Sequence, residues 1–500
     1  MLDDLYGRLL TQLRQHADLA SALHLLEWDQ ETFLPSGAVE SRARQIGALA
    51  AVVHQQQTDP AFLDLVDGLA SRLAELSPEQ AVDVRETKWR LDRQRALDTA
   101  LVRERSILHA EARSAWIGVR ERDDFAALAP FLTRIVDMER RVAAAIDPAR
   151  PAYDVLLEEY EPGMTSATLT DVFAELRAGL LPLVDRLRAR LAARPLPTLG
   201  LCGGFPVDVQ RRFNRLIAER LGFDFALGRL DEAVHPFTMT IGDDVRITTR
   251  YDERDLRYAL LSTVHETGHA LYEQGLDRAA RGTPRGASCS LGIHESQSRL
   301  WENQVARSDV FWRVFLPVAR ELFPGLRDVT LRDAVLAVNA ARPSLIRTEA
   351  DEITYNLHIL LRFDLERALI DGTLAVAELP AAWRVGMQRY LGVTPESDRD
   401  GVLQDVHWAS GAIGYFPTYA LGNVYAAQLV QAAEADLGGL DAWLASGDYS
   451  PLLQWLRAHV HRHGQTHRAP RLIEVATGAP ASPRPLLAHL ERKVAFLEVA

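Results

Sequence analysis

The stretch Val264-His265-Glu266-Thr267-Gly268-His269-Ala270 carries a His-Glu-x-x-His pattern inside helical periodicity that runs from about Asp252 to Gly275. At 3.6 residues per turn, imidazoles four positions apart share one helix face. Both can therefore reach a single cation while Glu266 projects beside it toward a bound water. A pattern with two free positions also arises by chance in a histidine-bearing helix, so a third ligand has to be found. A second helical run, Ile293-His294-Glu295-Ser296-Gln297-Ser298-Arg299-Leu300-Trp301-Glu302, supplies carboxylates, and one of them completes a His2Glu set, with Glu295 as the candidate. Three protein ligands leave a tetrahedral zinc one open position for water or substrate, which is the catalytic rather than the structural arrangement. His294 points about 100° away from Glu295 around the helix and is assigned to support rather than coordination. Nearby Cys289 reads as a small buried thiol.

The elements that must position these residues are mainly helical. The chain has 500 residues, 47% hydrophobic and 25% charged, which excludes collagen-like, disordered and disulfide-scaffold classes. A net charge of −12 argues against a general nucleic-acid or anionic-membrane binder. Cys202 and Cys289 are too few to staple a chain of this length and suit a reducing compartment. The acidic start Met1-Leu2-Asp3-Asp4-Leu5 is unlike a secretory leader, and no run of roughly twenty apolar residues occurs, so a cytoplasmic protein is expected.

Residues 1 to about 190 repeat apolar positions at three- and four-residue spacing, as in Leu5, Leu9, Leu10 and Leu13. The Arg- and Glu-rich run from Pro78 to Arg122 reads as an exposed, charge-laced helix pair. Breakers between Arg194 and Pro206 mark the best internal seam, dividing one fold over 1–500 into a helical amino-terminal lobe of about 1–196 and a catalytic region of about 197–500. Phe237–Ile241 and Val245–Thr249 are β-prone and flank Gly242-Asp243-Asp244, which predicts a hairpin with a three-residue loop. Its edge strand would suit an extended peptide held through main-chain hydrogen bonds. Helical periodicity returns from Leu256 to the end.

With these motifs in order, the sequence resembles the thermostable carboxypeptidase Taq family of metallocarboxypeptidases across essentially its whole length. The resemblance rests on the zinc motif, His235-Pro236-Phe237, Asp244-Val245-Arg246-Ile247-Thr248 and His294-Glu295-Ser296-Gln297. It extends to Ile346-Arg347-Thr348-Glu349-Ala350-Asp351, to Gly401-Val402-Leu403-Gln404-Asp405-Val406-His407-Trp408 and to an opening Glu27-Trp28-Asp29-Gln30-Glu31-Thr32. It implies a mainly α, two-lobed metallopeptidase with a deep groove and a small hairpin beside the active site. It also implies a homodimer, zinc or cobalt as the metal, and removal of carboxy-terminal residues with broad specificity.

On this reading His265, His269 and Glu295 hold the metal, and Glu266 serves as general base and then as acid. A donor to the developing oxyanion is sought among His407, Tyr415 and Tyr419, where glycines permit close approach. The His and Tyr pair of related zinc peptidases favours His407 and Tyr415, while Tyr419 reads equally well as part of a buried aromatic turn. For the substrate's terminal carboxylate the first candidate is Arg347 and the second Arg246. Against these stand an Arg347–Asp351 pair at i+4 and a strand-packing role for Arg246. The expected partners are peptides with a free carboxy terminus, not nucleic acid or membrane. Two competing readings keep the same site: an oligopeptidase or dipeptidase without a carboxylate anchor, and a helical scaffold whose metal is structural.

Overall fold

Leu-, Ala- and Arg-rich segments with few β-branched clusters favour helix, and the computed structural model, which describes residues 2–193, 201 and 203–499, is built almost entirely of helices. Those that bear on the site are, in chain order, α1 (Leu2–Thr32), α2 (Pro78–Arg95), α3 (Thr99–Arg122), α4 (Leu256–Gly275), α5 (Leu291–Arg299), α6 (Glu352–Asp371) and α7 (Pro417–Leu437). Side-chain caps set where the site helices begin. Asp255 accepts from Arg257 N at the start of α4, Ser290 from Ile293 N at α5, and Asp351 from Ile353 N and Thr354 N at α6. Beyond Arg299 the backbone widens into a π-helix over Leu300–Ala306.

The short helix α5 is clamped between α4 and α7. Glycines make the approach possible: a Cβ on Gly268 of α4 would lie 2.6 Å from Gln297 O, and one on Gly422 of α7 would lie 2.5 Å from Glu295 Cγ. The histidine motif and the candidate third ligand are thus held on helices in backbone-level contact.

Beside α4 lies a three-stranded sheet in the order β1–β3–β2, with β1 at Gly228–Glu232, β2 at Thr238–Ile241 and β3 at Asp244–Thr249. The hairpin forms where the sequence predicts it, but Ile241 pairs with Asp244, so the loop is the two residues Gly242 and Asp243. The parallel strand β1 has a composition, Gly-Arg-Leu-Asp-Glu, that carries little β signal. It forms because β3 offers a ladder from Gly228↔Val245 to Glu232↔Thr249. Helix α1 braces the sheet, with Trp28 buried beneath the Arg246 guanidinium at 4.3 Å and His24 Nδ1 3.1 Å from Thr240 O on the edge strand.

Among the described residues there are two hydrophobic cores. The smaller joins Tyr6, Leu9, Phe62, Leu65, Val66, Leu69, Val84 and Leu91. The larger begins at Leu101 and runs to Leu497. Packing therefore divides between α2 and α3, upstream of the seam expected near residue 196. Most of that breaker segment, 194–200 with Cys202, lies outside the described residues. Among the described residues, no helix is long and apolar enough to cross a membrane.

Candidate active site

One helical turn apart on α4, His265 and His269 turn their Nε2 atoms toward the same carboxylate oxygen. Glu295 Oε2 lies 3.7 Å from His265 Nε2 and 3.4 Å from His269 Nε2. Ligand atoms of these three residues fall within 4.8 Å of one another, the spread expected of groups converging on one ion. The other ring nitrogens fix the tautomers. His265 Nδ1 lies 3.0 Å from Glu302 Oε2, and an ionised carboxylate can only accept, so Nδ1 carries the proton and Nε2 keeps a lone pair. His269 Nδ1 lies 2.6 Å from His294 Nδ1, and His294 Nε2 lies 3.0 Å from Glu273 Oε1. Read from Glu273 inward, His294 donates to the carboxylate, His269 donates to His294, and His269 Nε2 is left free toward the site.

Charge is arranged around this donor set. Burial opposes ionisation of Glu295, but Arg299 and His265 hold its carboxyl well below the usual range. Arg299 Nε donates to Glu295 Oε1 at 2.7 Å, and Arg299 and Arg307 both bond to Glu302. Burial drives His269 down to about 3, so its imidazole is neutral, as metal ligation requires. Burial opposes protonation of His265, but Glu295 and Glu302 raise its pKa, so a cation would displace a proton there. Two imidazole nitrogens and one carboxylate oxygen, each supported from behind, fit a divalent first-row cation with open positions. Cys289 is no part of the set: its Sγ donates to His467 O at 3.1 Å.

Glu266 lies on the same helix, buried at the margin of a groove of about 830 Å³. Thr238 Oγ1 of β2 donates to Glu266 Oε2 at 2.6 Å, and burial pushes this carboxyl above its ordinary value despite the pull of His265 and Thr238. A carboxylate with a raised pKa beside this donor set has the chemistry to take and return a proton. Pro236 and Phe237 extend the wall from the edge strand. Because α1 reaches Thr240 O, main-chain pairing with a peptide is left to the Thr238 end of that strand.

Arg347, Tyr415 and Tyr419 also line the groove. Only 6% of Arg347 is exposed, and its Nε and Nη2 donate to Asp405 Oδ1 at 3.0 and 2.9 Å while Nη1 lies 3.2 Å from Tyr355 Oη. The pairing with Asp351 that the spacing allows is not made, because Asp351 caps α6. Arg362, fully buried between Trp383 and Phe416, donates to the other oxygen of Asp405 at 2.7 Å. Two guanidiniums against one carboxylate leave the cluster net positive, and of the three only Arg347 reaches the groove wall, where a guanidinium suits a terminal carboxylate. His407 is not in the lining: its Nε2 lies 3.3 Å from Tyr419 Oη, and burial followed by Arg347 lowers its pKa to about 4. Arg246 is also outside the groove, spent on Asp244 and the face of Trp28.

The family model described as carboxypeptidase Taq (M32) metallopeptidase matches residues 8–494. The chain belongs to this family. It is 47% identical to thermostable carboxypeptidase 1 of Thermus thermophilus, with 98% of each chain covered. It superimposes on the M32 carboxypeptidase of Deinococcus radiodurans R1 with a TM-score of 0.96 at 43% identity, covering 99% of this chain and 100% of that one. A carboxypeptidase structure from Pyrococcus furiosus gives 0.94 at 35% identity, covering 98% and 99%. The protein is therefore a metallocarboxypeptidase, and as an M32 enzyme it uses a divalent metal.

Within this M32 fold, sequence reasoning missed the groups behind the ligands. Glu302 was visible as an alternative third ligand and instead orients His265, while Glu273, Arg307 and Arg362 gave no local signal. Only the i+4 and i+7 spacing of Arg299 and Glu302 from Glu295 placed them on one helix face.

Proposed function

We propose that this M32 enzyme is a zinc carboxypeptidase of broad specificity that releases residues one at a time from peptides with a free carboxy terminus. The carrying observation is the convergence of three supported donors, His265 Nε2, His269 Nε2 and Glu295 Oε2, in the groove that also holds Glu266 and Arg347. A zinc ion held by these donors would acidify a water and polarise the scissile carbonyl. Glu266 accepts the proton of the attacking water and delivers it to the departing amine nitrogen. Tyr415 Oη donates to the carbonyl oxygen as negative charge grows there, and the Tyr419 ring together with Arg347 seats the terminal carboxylate. His407 acts through Tyr419 as a positioning residue. The sparse cysteines support a reducing, cytoplasmic location, and the family resemblance supports a homodimer, which light scattering would test.

Glu266→Gln tests the mechanism. It should keep metal, since Glu266 is not in the donor set, while kcat falls by about 10²-fold or more. Near-normal turnover would remove Glu266 from the chemistry.

A further inference from the structure

A second cavity, of about 440 Å³, adjoins the metal groove and has no part in the mechanism above. Leu291 lines both spaces, and its amide donates to Tyr160 O at 3.1 Å, so Tyr160 and the first turn of α5 form the sill between them. Aromatic contacts give the direction. Tyr160 packs edge-on against Tyr415 at 5.1 Å, Tyr415 meets Tyr419 at 5.3 Å, and Arg347 lies over Tyr419 at 5.1 Å. The rings of Tyr160, Tyr415 and Tyr419 thus link the wall of the second cavity to the carboxylate anchor, and a peptide anchored at Arg347 that extends along them would bring its upstream residues to the cavity.

The cavity is cationic. Four guanidiniums face it, and three are matched by carboxylates: Arg105 by Glu139 at 2.8 Å, Arg468 by Glu86 at 2.9 Å and Arg93 by Glu159 at 3.3 Å. Arg90 of α2 is the exception. Its hydrogen bond is to the neutral amide of Gln465, at 2.7 Å, and its side chain is exposed to the cavity. The neighbouring Trp89 ring is occupied by Arg468 at 4.3 Å and Arg93 at 5.4 Å, which fixes those two groups and leaves Arg90 as the open donor. An unmatched guanidinium in a concave, partly dry site is suited to a carboxylate.

We infer that this cavity is an upstream subsite in which Arg90 reads an acidic side chain of the peptide substrate. The inference rests on the carboxypeptidase reading. Leu291 precedes Glu295 by one turn, about 6 Å along the helix, and an extended peptide advances about 3.3 Å per residue. The sill therefore lies about two residues from the metal, and a side chain entering the cavity beyond it falls roughly two to four residues before the scissile bond.

The test uses the metal-loaded enzyme and peptide pairs that differ only by Glu or Gln, with the substitution walked through those positions. At one position wild type should favour Glu by about three- to tenfold in kcat/KM, the scale of a charged hydrogen bond in a partly screened site. The preference should shrink with salt. Arg90→Gln should erase it, Arg90→Lys should retain it, and Arg90→Glu should transfer it to a Lys peptide, a reversal that a folding defect cannot produce. Equal rates for Glu and Gln at every position, or a preference that survives Arg90→Gln, would overturn the assignment. Stimulation of the Gln peptide by free glutarate would also overturn it, marking a separate effector site. Turnover of the Gln peptide by wild type reports on the carboxypeptidase reading itself, so the two can fail separately.

Discussion

Gly268 lies within the His-Glu-x-x-His helix, immediately before His269, and the structure predicts that Gly268→Ala damages the metal site without touching a ligand. A Cβ there would lie 2.6 Å from both Gln297 O and Ser298 Cα, which are main-chain atoms of α5. Reaching ordinary contact near 3.5 Å requires α4 and α5 to separate by roughly 1 Å. Helix propensity alone would reward alanine by about 0.5–1 kcal/mol. Overpacking costs about 1–3 kcal/mol, so the clash wins and a net loss of about 1–2 kcal/mol is expected. The effect on metal is sharper, because His269 sits on α4 and Glu295 on α5, and ligand distances tolerate only about 0.2 Å. Zinc affinity should fall at least as far as on losing an outer-shell partner, about 10–100-fold. Urea unfolding of the chelated protein gives the first quantity, and zinc competition against a chromogenic chelator gives the second. Gly68→Ala is the control, since its added Cβ meets nothing within 4 Å. A Gly268→Ala protein as stable as wild type and equally tight for zinc would refute the close-packing argument.

His294→Phe fills similar space but cannot accept the proton of His269 Nδ1, so zinc affinity should drop about 10–100-fold in the same competition assay; unchanged affinity would show that the Glu273–His294 relay is ornamental. The metal-free protein should lose stability as pH falls from 7 to 5. Five buried histidines, His269, His358, His407, His461 and His489, are held below their ordinary pKa first of all by burial, so the unfolded chain takes up protons below about 6.5 that the native state refuses. Buried Glu161 and Glu366, pushed up to about 7 by burial, act in the opposite sense, because the native state holds protons that the unfolded chain releases. Glu266, raised by burial, and His265, raised against its burial by Glu295 and Glu302, add to that opposing side. A group whose folded pKa lies outside the window contributes up to roughly 2 kcal/mol across it, so the five histidines outweigh this opposing set. Calorimetry of the chelated protein should show a falling midpoint, and a midpoint that rises on acidification would contradict the assigned protonation states.

What the sequence made legible was local. His265, Glu266 and His269 declare themselves because a helix turns four-residue spacing into one face, and Glu295 follows because its own helix has the same period. The hairpin was readable from alternation and its Gly-Asp turn. The remainder depends on contacts distant in sequence. Arg347 is committed to Asp405 rather than Asp351 because Asp351 is consumed as the cap of α6, a competition that spacing alone does not weigh. Arg246 looked like an anchor because it is a guanidinium on the hairpin, but the buried Trp28 of α1 claims it. Strand β1 was invisible because it is made by its partner rather than by its composition. The division of packing between α2 and α3 was hidden because both helices carry the same Arg, Glu and Leu pattern.

In the proposed function, one groove joins a metal-activating donor set to an anchor for a free carboxy terminus. The most direct measurement follows by mass the products formed from one unstructured peptide, as the free acid and as its carboxy-terminal amide, with chelated enzyme before and after zinc is restored. No cleavage is expected without metal and, with zinc, a ladder that shortens one residue at a time from the free acid, with the amide cut far more slowly. Internal cuts, or equal rates on acid and amide, would contradict it.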